Sequence, residues 1–227
     1  MPRDTLTRER IIQTAIELLD ADGLEGLNMR SLGKRLDSAA TAVYWHVKSK
    51  DNLLVLAADQ LWHEIALPDL GTVDWRTAAT SMATELYAMF DRHPWLVQAF
   101  SAHLFYGPGK ARHDDHNLAV YEAAGFVGAE ADLATAAVFT FVLGNAAGAA
   151  ATASLTRRLN QDGGNAEERF RDTMAKARDI AMDFPRLRAR LENPAAADYA
   201  AGPDSGFEYG LRTILDGLQD QLADKPR

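Results

Sequence analysis

The sequence predicts an all-α protein in which a small three-helix domain of helix-turn-helix shape precedes a larger helical domain. Three observations carry this. Apolar residues recur with helical spacing along the chain, and no segment shows the alternation of a half-buried strand. Two short helical segments meet at a tight turn, Asp37-Ser38. Pro68 and Gly71 interrupt the pattern and separate two lobes.

The first helix is expected over about Thr7 to Ala21, capped by the Thr7 hydroxyl and closed by Gly23, with Ile11, Ile12, Ala15, Leu18 and Leu19 on its apolar face. A second runs from the N-cap Asn28 to about Leu36, and a third from Ala40 to His46. Ser49 caps a fourth, about Lys50 to Ala66. After the break come an amphipathic helix over about Asp74 to Arg92 and a short one after Pro94. Further helices cover about Lys110 to Ala124, Glu130 to Leu159 and Ala166 to Met182, and the last covers Phe207 to Leu222. Asn160 to Asn165 and Asn193 to Gly206 read as loops. The domains are therefore expected at residues 1–50, with the connecting helix continuing to about 66, and at 67–227.

The composition of the 227 residues is that of a soluble globular protein, with 47% hydrophobic and 25% charged residues. No cysteine is present, which removes disulfides, thiolate nucleophiles and cysteine-ligated zinc and suits a reducing cytoplasm. The charged N-terminus lacks the apolar stretch of a secretion signal. From Leu133 to Thr156 no side chain is charged, a length that would cross a bilayer. The run is mostly Ala, Gly, Thr and Ser, so a helix packed between other helices is expected instead, with no membrane partner. Gly144 and Gly148 within it permit close backbone approach. The net charge of −8 is unevenly placed: residues 1–50 carry eight Lys and Arg against seven Asp and Glu, so the acid lies in the larger lobe. Charge by itself neither supports nor excludes a nucleic-acid partner.

The informative stretch is Gly26 to Lys50. In a helix-turn-helix the second helix enters the major groove N-terminal end first, which would set Ala40, Thr41 and Ala42 against base edges. Alanine and the threonine methyl suit a thymine methyl, and the hydroxyl bonds to either kind of base. The polar tips of Tyr44 and His46 would reach phosphate oxygens, as would Lys48 and Lys50 at the start of the next helix. Arg30 would grip a phosphate or a guanine edge.

The run Val43-Tyr44-Trp45-His46-Val47-Lys48-Ser49-Lys50, with the first-helix pattern and the Gly-Leu before the motif, resembles the DNA-binding domain of TetR (tetracycline-repressor) family regulators. The resemblance implies that Arg30, Thr41, Tyr44, His46 and Lys50 touch DNA and that Trp45 helps to seat the recognition helix; read by itself, Trp45 is either a DNA contact or a core residue. A weaker likeness extends through Trp75, Arg92-His93-Pro94 and the final Phe207 to Leu222 to the C-terminal domain of the tetracycline-repressor subgroup. It implies ligand binding and dimerisation through a four-helix bundle, for which the long uncharged helix and the last helix are the candidates. The partners so implied are a palindromic double-stranded DNA operator, a second copy of the chain and a small-molecule effector that releases the operator, with no cofactor. Ala40 and Thr41 replace the subgroup's glutamine and proline, so the operator should differ. Met82 and Leu86 stand where asparagine and phenylalanine are expected, which argues against tetracycline–magnesium as effector.

Cavities between helices, walled by aromatic and small residues, are the usual ligand sites of bundles. The candidates are Trp62, Leu86, Phe90, Phe105, Phe141 and Asn145, with His103 and His116 as polar anchors. A rival reading, a helical metalloenzyme, would use His103, His113 and His116, since imidazoles three residues apart share a helix face. A third is a DNA-binding dimer that senses no ligand.

Overall fold

The computed structural model describes residues 6–161, 166–193 and 203–224, and among these every regular element is helical. The small lobe contains α1 (Arg8–Gly26), α2 (Met29–Arg35) and α3 (Ala40–Val47), and α4 (Lys50–Leu61) leaves it for the large lobe. Local chemistry explains where these helices begin. The Thr7, Asn28 and Ser49 side chains each accept a hydrogen bond from the exposed backbone N–H three residues on, in the first turn of α1, α2 and α4. Gly23 leaves helical geometry at φ 70°, so the last turn of α1 is offset from the rest.

The fourth helix is shorter than its sequence suggests. It ends at Leu61, and Trp62–Glu64 tightens into a 3-10 turn before Ile65 turns extended. Beyond the break lie α5 (Trp75–Arg92), α6 (Pro94–Ala99), α7 (Pro108–Ala124), α8 (Ala129–Gln161), α9 (Ala166–Met182), α10 (Pro185–Leu191) and α11 (Pro203–Ala223). Proline opens α6, α7 and α10, where its missing N–H costs no helical bond. The sequence reading did not mark α10. Of the expected loops at 160–165 and 193–206, residues 162–165 and 194–202 lie outside the described residues, while 160–161 continue α8 and 203–206 already belong to α11.

The long helix α8 organises the large lobe, with α5, α6, α7 and α11 packed against it. Ala131, Ala134, Val138, Val142, Ala146 and Ala150 form its buried stripe at helical spacing. The expectation of a helix packed between other helices holds on one face of α8 only. It is long and apolar enough to cross a membrane, yet only 28% of its most apolar stretch is buried. Small residues explain the arrangement, because they let neighbours close on one face and leave the opposite face bare. Gly144 and Gly148 lie on that bare face with nothing within 4 Å of where a Cβ would stand.

The two lobes share one continuous hydrophobic core running from Ile11 through Trp62, Trp95 and Tyr121 to Leu218. Each large apolar side chain withdrawn from water there contributes about 1.5–3 kcal/mol. Polar joints supplement it. Asp20 of α1 accepts hydrogen bonds from Trp95 Nε1 at 2.8 Å and His93 Nδ1 at 2.7 Å. Asp59 of α4 accepts one from the Lys110 backbone N–H at 2.9 Å, in the first turn of α7. The large lobe is therefore joined to the small one through α1 and α4.

Candidate nucleic-acid interface and ligand groove

A close crossing holds the recognition motif together. A Cβ on Gly33 would stand 2.7 Å from the Ser38 carbonyl oxygen, so only glycine lets α2 pass the turn this tightly. Asp37 takes φ 47°, and the Ser38 N–H donates to the Gly33 carbonyl at 2.9 Å. The turn presents α3 on Val43 and Val47, both wholly buried. These two lie four apart and define the inner face, so residues between them point outward. Thr41, Tyr44 and His46 are exposed, and Ala40 and Ala42 half-buried beside them. Arg30 is exposed on α2.

Trp45 departs from its expected role. It is 79% exposed and does not seat the helix, because Val43 and Val47 occupy the inward positions on either side of it. The Lys48 ammonium lies 5.4 Å from its ring centroid instead. Lys50 is also engaged: its ammonium donates to the Leu24 carbonyl at 3.2 Å, tying the start of α4 to the end of α1.

In the large lobe the expected ligand residues separate into three groups. Phe90, Phe105 and His103 belong to an aromatic cluster around Phe100, which meets Phe90, Phe105 and Phe139 edge-on at 5.8, 5.0 and 5.9 Å. His103 lies 6.2 Å from the Phe105 ring. Phe141 turns away toward α11, stacked on Phe207 at 5.7 Å with Gly210 beneath its ring edge. Asn145 donates to the Phe141 carbonyl of its own helix. Trp62 and Leu86 meet instead around His113 on α7, whose ring lies 4.9 Å from that of Trp62.

The cavity lies between α7 and α8. An outer groove of about 280 Å³ is lined by Lys110, Asp114 and Asn117 of α7 and by Asp132, Thr135 and Phe139 of α8. Asn117 and Phe139 also border a small inner recess with Met82, Leu86 and His113. These groove residues were missed in the sequence, although 110, 114 and 117 and then 132, 135 and 139 each repeat along one helix face. No pattern along the chain announces that the two faces oppose.

Polar atoms of two cavity residues, His113 and Thr135, and of Trp62 and His116 outside its lining are left unpaired. Trp62 Nε1, His113 Nε2, His116 Nε2 and Thr135 Oγ1 are buried without a hydrogen-bond partner. His113 Nδ1 has only a long approach, 3.5 Å, to the Asp114 carboxylate. Burial would raise the Asp114 pKa, but His113 and the Lys110 ammonium outweigh it and hold the carboxyl below its ordinary range. Leaving a buried polar group unpaired costs about 1–3 kcal/mol, and such groups in a cavity are suited to a ligand that completes them. The three histidines of the metalloenzyme reading do not assemble. Among the described residues no group of three His, Asp or Glu side chains stands close enough to hold a metal ion.

Residues 11–57 match the bacterial regulatory proteins of the tetR family, and residues 67–222 match the tetracyclin repressor-like C-terminal domain. The chain is 34% identical to an HTH-type transcriptional regulator of Saccharopolyspora erythraea, over 90% of this chain and 82% of that one. It is 31% identical to the HTH-type transcriptional repressor DrrR1 of Streptomyces coeruleorubidus, over 99% of this chain and 81% of that one. Among solved structures it is similar to the Streptomyces coelicolor TetR family protein ActR in complex with actinorhodin, with a TM-score of 0.72, 26% identity, and 95% and 96% of the two chains covered. A helix-turn-helix lobe joined through α1 and α4 to a cavity-bearing helical lobe, matched in both parts, shows that this chain belongs to the TetR family of bacterial regulatory proteins.

Proposed function

We propose that this protein is a cytoplasmic, homodimeric transcriptional repressor and not an enzyme, which binds a palindromic operator and leaves it when a small molecule fills the α7–α8 groove. The observation that carries this reading is the pair of joints between lobes. Asp59 ties the first turn of α7, at the mouth of the groove, to α4, and Asp20 ties α1 to the start of α6. A ligand that binds better to a shifted α7 therefore favours a shifted α4, and with it a different placement of α3. Two recognition helices on a symmetric dimer must lie roughly 34–36 Å apart to read successive major grooves, so a modest change in placement lowers operator affinity.

Dimerisation is assigned to the bare faces of α8 and α11. Gly144, Gly148 and Gly217 have open space above them, and Leu133 and Tyr209 are exposed there. Close packing of four such helices would bury them. On DNA, Ala40, Thr41 and Ala42 are assigned to base edges, and Arg30, Tyr44, His46 and Lys48 to phosphates or neighbouring bases. Trp45 is assigned to the same exposed surface. Lys50 supports the motif from behind and adds its charge.

The test is selection from a random duplex library with the purified full-length protein at fixed moderate salt. Enrichment of one palindrome bound by two chains is expected. A folded, dimeric protein that enriches no sequence would overturn the reading.

A further inference from the structure

The Lys110 ammonium occupies an unusual seat. It lies 5.1 Å from the Trp62 ring centroid and 5.7 Å from that of Phe139, and it is hydrogen-bonded to the Asp114 carboxylate. Two aromatic faces and a carboxylate make a receptacle for an organic ammonium group, since a ring's negative face and an anion both attract a cation and cost little to desolvate together. Here the chain fills the receptacle with its own side chain. The stem of Lys110 is long and flexible, and the residue lines the outer groove, so its head can leave toward solvent. The Asp114 stem is much shorter than that of Lys110, so its carboxylate stays beside the groove when the Lys110 head moves out. Once Lys110 swings out, the groove holds Asp114 and Asp132 with no opposing charge among its lining residues.

We infer that the effector is an organic cation, an amine carried on an apolar ring system, whose ammonium group displaces Lys110 from the cage of Trp62, Phe139 and Asp114. The inference rests on the groove being the effector site, as proposed above. The ring system lies along the outer groove against Leu118, Ala136 and Phe139, where the wall is apolar. His113 Nε2 and Thr135 Oγ1, both buried without partners, take polar groups on its edge. An anion is disfavoured, because it would have to part Asp114 from Lys110 and would then face Asp132. A neutral molecule gains nothing from the cage that Lys110 does not already satisfy. Displacement acts where the lobes are joined, for the backbone N–H of Lys110 is the donor to Asp59 of α4. Gly109 beside it packs so closely that a Cβ would stand 2.4 Å from the Asp59 carbonyl oxygen.

The experiment is calorimetric titration of the full-length dimer, without DNA, at neutral pH with three probes of one ring system: 2-naphthylmethylamine, 2-naphthylmethanol and 2-naphthoate. The amine is expected to bind at least about tenfold more tightly than the alcohol, and the carboxylate more weakly than either. Lys110→Met, which removes the competing ammonium from the cage and from Asp114, should tighten the amine by about tenfold and leave the alcohol unchanged, whereas Asp114→Asn should weaken the amine by a similar factor. Equal affinity for amine and alcohol, tighter binding of the carboxylate, or no amine binding at all overturns the inference. So does a Lys110→Met protein that binds the amine no better than the parent. If Lys110→Met does not fold, as judged by circular dichroism, the half-exposed Asp114→Asn decides alone. Adding the selected operator duplex separates the two readings. An amine that binds with this charge dependence but leaves operator affinity unchanged supports the cage and refutes the groove as the effector site.

Discussion

On α3 the polar side chains of Thr41 and His46 stand in solvent around two buried valines, whereas on α7 His113 is 2% exposed and its Nε2 has no partner. Both helices offer unsatisfied hydrogen-bonding groups, but in opposite environments. Groups on α3 are satisfied by water until DNA replaces it, so they cost the folded protein nothing while idle. Those on α7 are shut off from bulk solvent and have no partner in the protein, so a ligand that pairs with them gains more than it would at the surface. The first arrangement suits a surface that must exist before its partner arrives. The second suits a cavity that must report whether it is filled.

That contrast can be broken or sharpened by substitution. The largest effect is expected at the turn that presents α3. Gly33→Val places a side chain against the Ser38 carbonyl and should lower stability by about 1–3 kcal/mol with loss of operator binding, read by thermal melting and duplex titration. A protein that melts and binds as the parent does would show that the crossing is not tight. Asp20→Ala leaves the buried Trp95 Nε1 and His93 Nδ1 without their acceptor. A stability loss of about 1–3 kcal/mol is expected, together with an operator affinity that no longer responds to effector.

On α3 itself, Thr41→Ala should leave stability unchanged and alter discrimination at one operator position by about 1–3 kcal/mol, whereas Lys48→Ala should weaken all duplexes alike and reduce the salt slope by roughly 0.9. Competition between duplexes at several salt concentrations checks both, and identical behaviour of the two variants would refute their roles. His113→Leu removes a buried unpaired group and should do the reverse of a usual core substitution, raising stability by about 1 kcal/mol while weakening effector binding. A loss of stability would mean that the imidazole is satisfied within the fold.

The smallest effect concerns acid. Asp114 has a depressed carboxyl pKa, so its stabilising contribution is present above the ordinary carboxylate range and fades as pH falls through the folded value. Asp114→Asn should therefore shallow the loss of stability on the acid side and leave the neutral plateau nearly level, in melts taken from pH 7 downward.

Much of the fold was legible because its signals are local. Thr7, Asn28 and Ser49 each cap a helix by bonding to an N–H three residues on, and each was readable as a cap without knowing anything more distant. The α8 helix was legible as a helix, but not in its burial, since small residues look alike whether a neighbour covers them or not. The packing role expected of Trp45 fails for a related reason, and its place among the DNA contacts stays open. Aromatic size suggests a core position, but the two valines flanking it had already set which side of α3 faces inward. Of the expected ligand residues, Leu86 borders the inner recess and Trp62 packs on the His113 ring behind it, whereas Phe141 packs against α11 and Asn145 bonds to its own helix.

The sequence by itself determined most of the helices, the motif and the family, because periodicity and capping act over three or four neighbours. Only the tertiary structure decided that Lys110 sits between Trp62 and Phe139, and that its backbone meets Asp59 across 51 residues of chain. The physical reason is that a cavity is formed by faces of different helices, and which faces oppose depends on the packing of the whole core.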